Sequence, residues 1–270
     1  MAENQDNARV DALADDSLHD EEGAIRADFV QSVAAAIAVG DSERVRKLAA
    51  DLHEADLGAL IEALDADERP RLIELMGRDF DFAALTEVDD SVREEILDEL
   101  PTATVAEGVL ELETDDAVEI LEDLEPEEQA EILDRMPAVE RVALRRSLDY
   151  PEDSAGRLMQ TTLVTAPPLW TAGQMIDHLG DIDPDDLPDS FFEIFVVDPG
   201  HRLLGNVFLD ALLKARRTTK LEDILDAERR RVTVTEDREE VARLFQRYNL
   251  VSAPVVDAGD RLVGVITIDD

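Results

Sequence analysis

The sequence predicts an α + α/β protein: an all-helical superhelical repeat domain, followed by two copies of a small α/β unit. Two patterns and one bulk property predict it. Apolar residues recur every twelve positions through the first half, and a block of the second half returns without a gap, from 195–205 to 254–264. A length of 270 residues with 44% hydrophobic content leaves enough apolar surface for two cores.

Residues 1–24 open the chain as a polar, acidic stretch, MAENQDNARVDALADDSLHDEEG, with no basic-then-apolar leader. Too little apolar surface is present there to offset the entropy of ordering, so a disordered lead is expected.

Residues 25–148 carry the period. Leu52, Leu64, Met76, Val88, Leu100, Leu112, Leu124, Met136 and Leu148 are spaced by twelve and all apolar. A second apolar pair sits within most units, as Leu60-Ile61, Leu72-Ile73, Ile96-Leu97, Ile120-Leu121 and Ile132-Leu133. Twelve residues of unbroken helix rotate a position by about 120°, so one continuous helix would scatter these residues around its circumference. The helix must break once per unit. Pro101, Pro126 and Pro137 stand one or two residues past the boundaries, with capping residues at Asp65, Glu113-Thr114 and Glu125. Each unit is then a turn plus a helix of about two turns. Helices that short persist only when stacked on neighbours.

Residues 149–270 change character to β-branched runs punctuated by Gly and Pro. Val196-Val197-Asp198 aligns with Val255-Val256-Asp257, Gly200 with Gly259, Arg202-Leu203 with Arg261-Leu262, and Gly205 with Gly264. Each block reads as strand, tight turn at Asp-x-Gly, strand. An amphipathic helix precedes each, over 171–179 and 239–248, and a short strand precedes that, at 163–165 and 232–234. The copies span about 157–215 and 220–270, the first with an acidic insert at 180–189.

Charge and composition exclude several functions. Sixty-six carboxylates against 26 Lys and Arg give a net charge of -40, which repels nucleic-acid phosphates and anionic lipid. Nucleic acid is therefore not an expected partner. Only Lys47, Lys214 and Lys220 are lysines, and such a surface also suits general adaptation to salt. The absence of cysteine removes disulfides, thiolate metal sites and a cysteine nucleophile. His19, His53, His178 and His201 are scattered, with neither metal spacing nor a nucleophile motif, so no enzyme is expected.

The Val-Val-Asp-x-x-x-Arg-Leu-x-Gly pattern resembles that of a tandem CBS pair. Together with the twelve-residue repeat, the junction from Tyr150 to Met159, Glu239–Leu244 and Pro254–Asp257, the chain from about residue 25 onward resembles the cytosolic part of MgtE-family magnesium transporters. The resemblance implies a homodimer formed through the CBS pair and a position on the cytoplasmic side of the cell membrane. It also implies a membrane-spanning transporter domain of the same protein, which this stretch does not contain. Its implied role is Mg²⁺ sensing: bridging ions close the helical domain onto the CBS pair and gate the transporter.

The ligands that the resemblance implies are Asp115 and Glu119, four residues apart on one helix face, with Asp237, Glu239 and Asp270. Mg²⁺ prefers carboxylate oxygens and keeps several waters, so a few carboxylates suffice. The sequence departs from the family at Ala83, where an acidic residue is expected, at Asn249, where an aspartate is, and in a shorter loop at 235–239. Adenine nucleotide is the rival ligand of CBS pairs. Thr267 and Asp270 match the ribose-holding hydroxyl and carboxylate, while the first copy has Phe208 and Ala211 at those positions. A nucleotide sensor and a protein-docking scaffold stay open as alternatives.

Overall fold

The computed structural model describes residues 18–20, 22–188, 190–227 and 230–268. Most of the expected lead, and Asp270, lie outside them. Within the described part of the lead, Asp20 Oδ1 accepts hydrogen bonds from the main chain of Glu22 and Ala24, and His19 pairs with Ile25. The described chain divides into two compact units, 1–112 with 119–136, and 113–118 with 137–270.

The helices are α1 (Ala27–Val39), α2 (Ser42–Ala49), α3 (Glu54–Ala63), α4 (Arg69–Met76), α5 (Asp90–Glu99), α6 (Thr102–Glu111), α7 (Thr114–Glu122), α8 (Pro126–Arg135) and α9 (Ala138–Leu148). From α5 onward the starts, at 90, 102, 114, 126 and 138, keep the twelve-residue step. Each break has a local cause. Leu64, Leu100, Leu112 and Met136 are C-caps with ψ between 142° and 156°, so the residue that repeats every twelve positions is the one that leaves the helix in extended backbone. Leu64, Leu100 and Met136 then turn inward and are buried. The pairs Leu60-Ile61, Leu72-Ile73, Ile96-Leu97, Ile120-Leu121 and Ile132-Leu133 are all buried.

One repeat departs from the expected single helix. After α4, Gly77 takes φ 61°, and two short 3₁₀ turns, Gly77–Asp79 and Phe82–Leu85, stand where a helix was predicted. Asp81 bonds its carboxylate to the main-chain N–H of Ala83, a local bond that competes with helix. Phe80 and Phe82 meet edge-on at 5.3 Å, and the Phe82 ring fills the space a Cβ on Gly108 would take.

The two α/β copies form two three-stranded sheets of identical topology. β1 (Thr165–Ala166) runs parallel to β2 (Glu193–Val197), which is antiparallel to β3 (Leu203–Phe208). β4 (Val232–Thr233), β5 (Ser252–Val256) and β6 (Leu262–Thr267) repeat this order, and both hairpins shift register at the same place, Val196/Val197 and Val255/Val256. Between β1 and β2 runs α11 (Ala172–Asp181), begun by a capping box of Thr171 and Gln174. Its counterpart between β4 and β5 is α13 (Arg238–Tyr248), while α12 (Leu209–Lys214) follows β3.

Each hairpin turn is built by one aspartate. Asp198 Oδ1 accepts from the N–H groups of Gly200 and Arg202, and Asp257 Oδ1 does the same with Gly259 and Arg261. Each sheet has its own core, and Phe195, Leu203, Val256, Leu262 and Val265 form a third core drawing on both sheets. The lead segments cross over: Gln160 pairs with Val265 of the second sheet, and Asp226 with Asn206 of the first.

The junction that carried the family resemblance is a packing element. The short helix α10 (Ala155–Leu158) hangs on the second copy through hydrogen bonds from Ala155 N to Glu236 O and Gly156 N to Val234 O. A Cβ at Gly156 would lie 2.7 Å from the Tyr150 ring, which is why this sequence places glycine there.

Candidate functional site

Helix α7 presents Asp115 and Asp116 in its first turn, where the partial positive charge of the helix N-terminus favours carboxylates. Asp115 is half-buried and Glu119, one turn on, is exposed. Glu119 has a strong partner. Arg93, from α5, is 3% exposed and directs its Nη1 to Glu119 Oε1 at 2.7 Å and to the Leu85 carbonyl at 3.2 Å. Its Nε donates to Asp123 at 2.5 Å and its Nη2 to Asp90 at 3.1 Å. Burial alone would make the guanidinium easier to deprotonate, yet Asp123 and Glu119 together raise its pKa further above the ordinary arginine value. The cation is permanent.

Arg93 was not singled out from sequence, although a signal was present. Stepping from Arg93 by twelve gives Val105 and Ala117, both buried. A charged residue buried in a slot that the next two repeats fill with apolar side chains needs a reason, and the three carboxylates supply it.

The second group of predicted ligands lies at the start of α13. Asp237 is its N-cap and accepts from Glu239 N at 2.9 Å. Glu239 pairs with Arg243 Nη2 at 2.9 Å, both side chains well exposed. Exposed pairs of this kind contribute little, typically below about 1 kcal/mol, and yield readily to a competing ion. Among the described residues no cluster of three or more His, Asp or Glu has the geometry of a metal site. Asp115 with Glu119, and Asp237 with Glu239, are thus two separate acidic pairs.

Thr267 stands elsewhere, at the end of β6, and is 7% exposed. It lines an open pocket together with the polar residues Gln160, Thr162, Ser190, Glu193 and Ser252 and with apolar ones that include Phe191, Phe192 and Phe195. Ser252 and Thr267 face each other across the β5–β6 ladder. Among the described residues its lining contains no lysine or arginine. In the first copy, Phe208 is the N-cap of α12 and Ala211 packs against the core of the first sheet.

Comparison with known proteins bears on both regions. Residues 52–153 match the MgtE intracellular N domain, and residues 221–270 match the CBS domain. The magnesium transporter MgtE of Bacillus subtilis (strain 168) is 30% identical over 135 residues, which cover 50% of this chain and 30% of that protein. The magnesium transporter MgtE of Thermus thermophilus is 36% identical over 121 residues, covering 45% and 26%. The chain therefore spans about a third or less of the curated relatives it matches. The crystal structure of the cytosolic domain of the Mg²⁺ channel MgtE in complex with ATP superposes with a TM-score of 0.80 at 28% identity, over 89% of this chain and 97% of that one. The soluble part of a magnesium transporter superposes at 0.79 and 24% identity, a likeness of fold. Among the described residues no helix is long and apolar enough to cross a membrane.

Proposed function

The chain belongs to the MgtE family, a non-enzymatic family whose cytosolic regulatory domain it matches, and on that premise we propose that it senses Mg²⁺ and gates a magnesium-conducting membrane domain. The observation that carries this reading is the joint match: a helical repeat domain and a pair of CBS-like sheets in one chain, in the order and fold of an Mg²⁺ channel's cytosolic domain.

The mechanism is relief of repulsion. Two facing carboxylates about 4 Å apart repel by about 1 to 4 kcal/mol, depending on the local dielectric. When Mg²⁺ is scarce, a chain of net charge -40 favours separated acidic faces. When Mg²⁺ is abundant, ions bridge them and draw the helical domain onto the CBS pair. The carboxylates we assign to this role are Asp115, Asp237, Glu239 and Asp270. A site with tenfold preference for the closed state supplies about 1.4 kcal/mol, and a swing from 1:99 to 99:1 needs about 5.5 kcal/mol. About four such sites are required. The module works as a homodimer through its CBS pair, and the gate lies in a membrane domain on whose cytoplasmic face the module sits.

The direct test is small-angle scattering in constant excess monovalent salt. Millimolar Mg²⁺ should shrink the radius of gyration, and an equal response to added NaCl alone would reduce the effect to screening and defeat the proposal. Sedimentation of residues 149–270 tests the dimer: a monomeric CBS fragment beside a self-associating helical domain would overturn it.

A second reading, an adenine-nucleotide sensor, has one observation in its favour, the pocket that Thr267 lines. Among the described residues of its lining, a phosphate chain meets no basic side chain and one buried carboxylate, Glu193. Binding of ATP, ADP or AMP is therefore weak or absent, which calorimetry checks. Micromolar ATP binding abolished by Thr267→Val would promote the nucleotide reading over the Mg²⁺ one.

A further inference from the structure

We propose that Arg93 is a built-in counter-cation that takes the place of a divalent ion on the α7 face, withdrawing Glu119 and Asp123 from the carboxylates that answer to Mg²⁺. The inference rests on the Mg²⁺-sensing reading and decides which carboxylates serve it.

Glu119, Asp123, Asp90 and the Leu85 carbonyl present oxygen to the three nitrogens of one guanidinium, at distances of 2.5 to 3.2 Å. Carboxylate and carbonyl oxygens of this kind are also the ligands a hard divalent cation selects. Here the charge is delivered by a side chain. A guanidinium stays protonated, offers five N–H donors in a fixed plane, and cannot dissociate when the ion concentration falls. With 4% of its side chain exposed it is fixed in place, while Glu119 and Asp90 leave 47% and 85% of theirs exposed.

The contrast with the start of α13 shows why burial matters. Glu239 is also paired with an arginine, but Arg243 is 60% exposed and swings free at little cost. Removing Arg93 from Glu119 and Asp123 would leave a buried cation unpaired, which is far more expensive. The two arginines therefore act in opposite ways. Arg243 leaves Glu239 available to a competing ion, whereas Arg93 holds Glu119 in a permanently neutralised state. In the two repeats that follow, the slot of Arg93 holds the buried apolar residues Val105 and Ala117, whereas the two before it hold Asp81 and Arg69.

Counting bound Mn²⁺ by paramagnetic resonance, in the full chain and in constant monovalent salt, tests the assignment. Glu119→Gln in the presence of Arg93 should leave the number of bound ions unchanged. Arg93→Gln removes the fixed charge and adds a carbonyl oxygen beside that of Leu85. It should bind one additional Mn²⁺ per chain, lose it again when combined with Glu119→Gln, and recover thermal stability in millimolar Mg²⁺. Arg93→Lys, which keeps the charge, should gain no ion. The proposal is overturned if Glu119→Gln alone removes an ion, if Arg93→Gln gains none, or if Arg93→Gln stays unfolded in Mg²⁺. A wild-type chain that does not compact in Mg²⁺ would defeat the gating reading, yet the ion count of the Arg93 variants would still stand or fall independently.

Discussion

Ser252 Oγ donates to Glu193 Oε1 at 2.7 Å, and the two residues are 59 positions apart, the offset that separates the two α/β copies. One position of the repeated unit therefore meets its own counterpart, once as a carboxylate and once as a hydroxyl. The same happens at the hairpin turns, where Arg202 pairs with Arg261, Leu203 N donates to Asp260 O, and Leu262 N donates to His201 O. His201 and Asp260, again counterparts, both take the left-handed conformation, with φ of 62° and 59°. The two copies are related by an approximate twofold axis that runs past both contacts.

Breaking the buried contact should therefore loosen both copies. Ser252→Ala removes a hydrogen bond to a buried carboxyl at a site 3% exposed and should lower stability by about 1 to 3 kcal/mol. Urea unfolding monitored by circular dichroism reads the change. A loss below the error of the measurement would mean that the bond is not maintained in solution.

Two glycines in helices should respond with opposite signs. A Cβ at Gly108 in α6 would come within 2.2 Å of the Phe82 ring, so Gly108→Ala must displace that ring and should cost about 1 to 3 kcal/mol. Gly180, at the exposed end of α11, has nothing within 4 Å of its Cβ position. Gly180→Ala should be neutral, or stabilise by up to about 1 kcal/mol through helix propensity. Thermal melts of the two variants side by side make the comparison, and equal effects would contradict the packing described.

Acid should release the second hairpin turn. Main-chain hydrogen bonds, that from Arg261 foremost and that from Gly259 after it, hold the Asp257 carboxyl below the ordinary aspartate pKa of 3.8. A depressed carboxylate pKa stabilises the fold above the unfolded-state value, and that contribution is lost as pH falls through the folded-state value. Asp257→Asn should therefore cost stability at neutral pH, and the difference from the wild type should shrink as pH drops below about 4. Carboxyl titration by NMR that places Asp257 at or above the ordinary value would refute the argument.

The Mg²⁺ reading makes its sharpest demand on Asp115 and Asp270. Neutralising both, with Asp115→Asn and Asp270→Asn, removes ion ligands and also the repulsion that the ion relieves. The double variant should compact in part without Mg²⁺ and gain little from its addition. Residues that share one ion are coupled, so the single substitutions should not add. Strict additivity in a double-mutant cycle, read by scattering, would show that the two carboxylates do not hold a common ion. General screening predicts a different result, since two charges out of a net -40 would scarcely alter the response.

Much of the architecture was legible in the chain because it follows from periodicity. A twelve-residue apolar step is incompatible with unbroken helix, so Leu64, Leu100 and Met136 mark helix ends in the sequence itself. The matched blocks at 195–205 and 254–264 determined two identical hairpins, since an aspartate that bonds two main-chain N–H groups shapes the same turn wherever it recurs. The irregular repeat at 77–88 was not legible. There the local bond of Asp81 and the fit of Phe82 over Gly108, a residue 26 positions away, outweigh the period. The candidate site divides in the same way. Residue type and spacing marked Asp115 and Glu119 as neighbours on one helix face. That Glu119 belongs to a buried guanidinium on another helix was settled by tertiary structure, because the charge state of a surface is decided by what folds against it, and Arg93 stands 26 residues earlier in the chain.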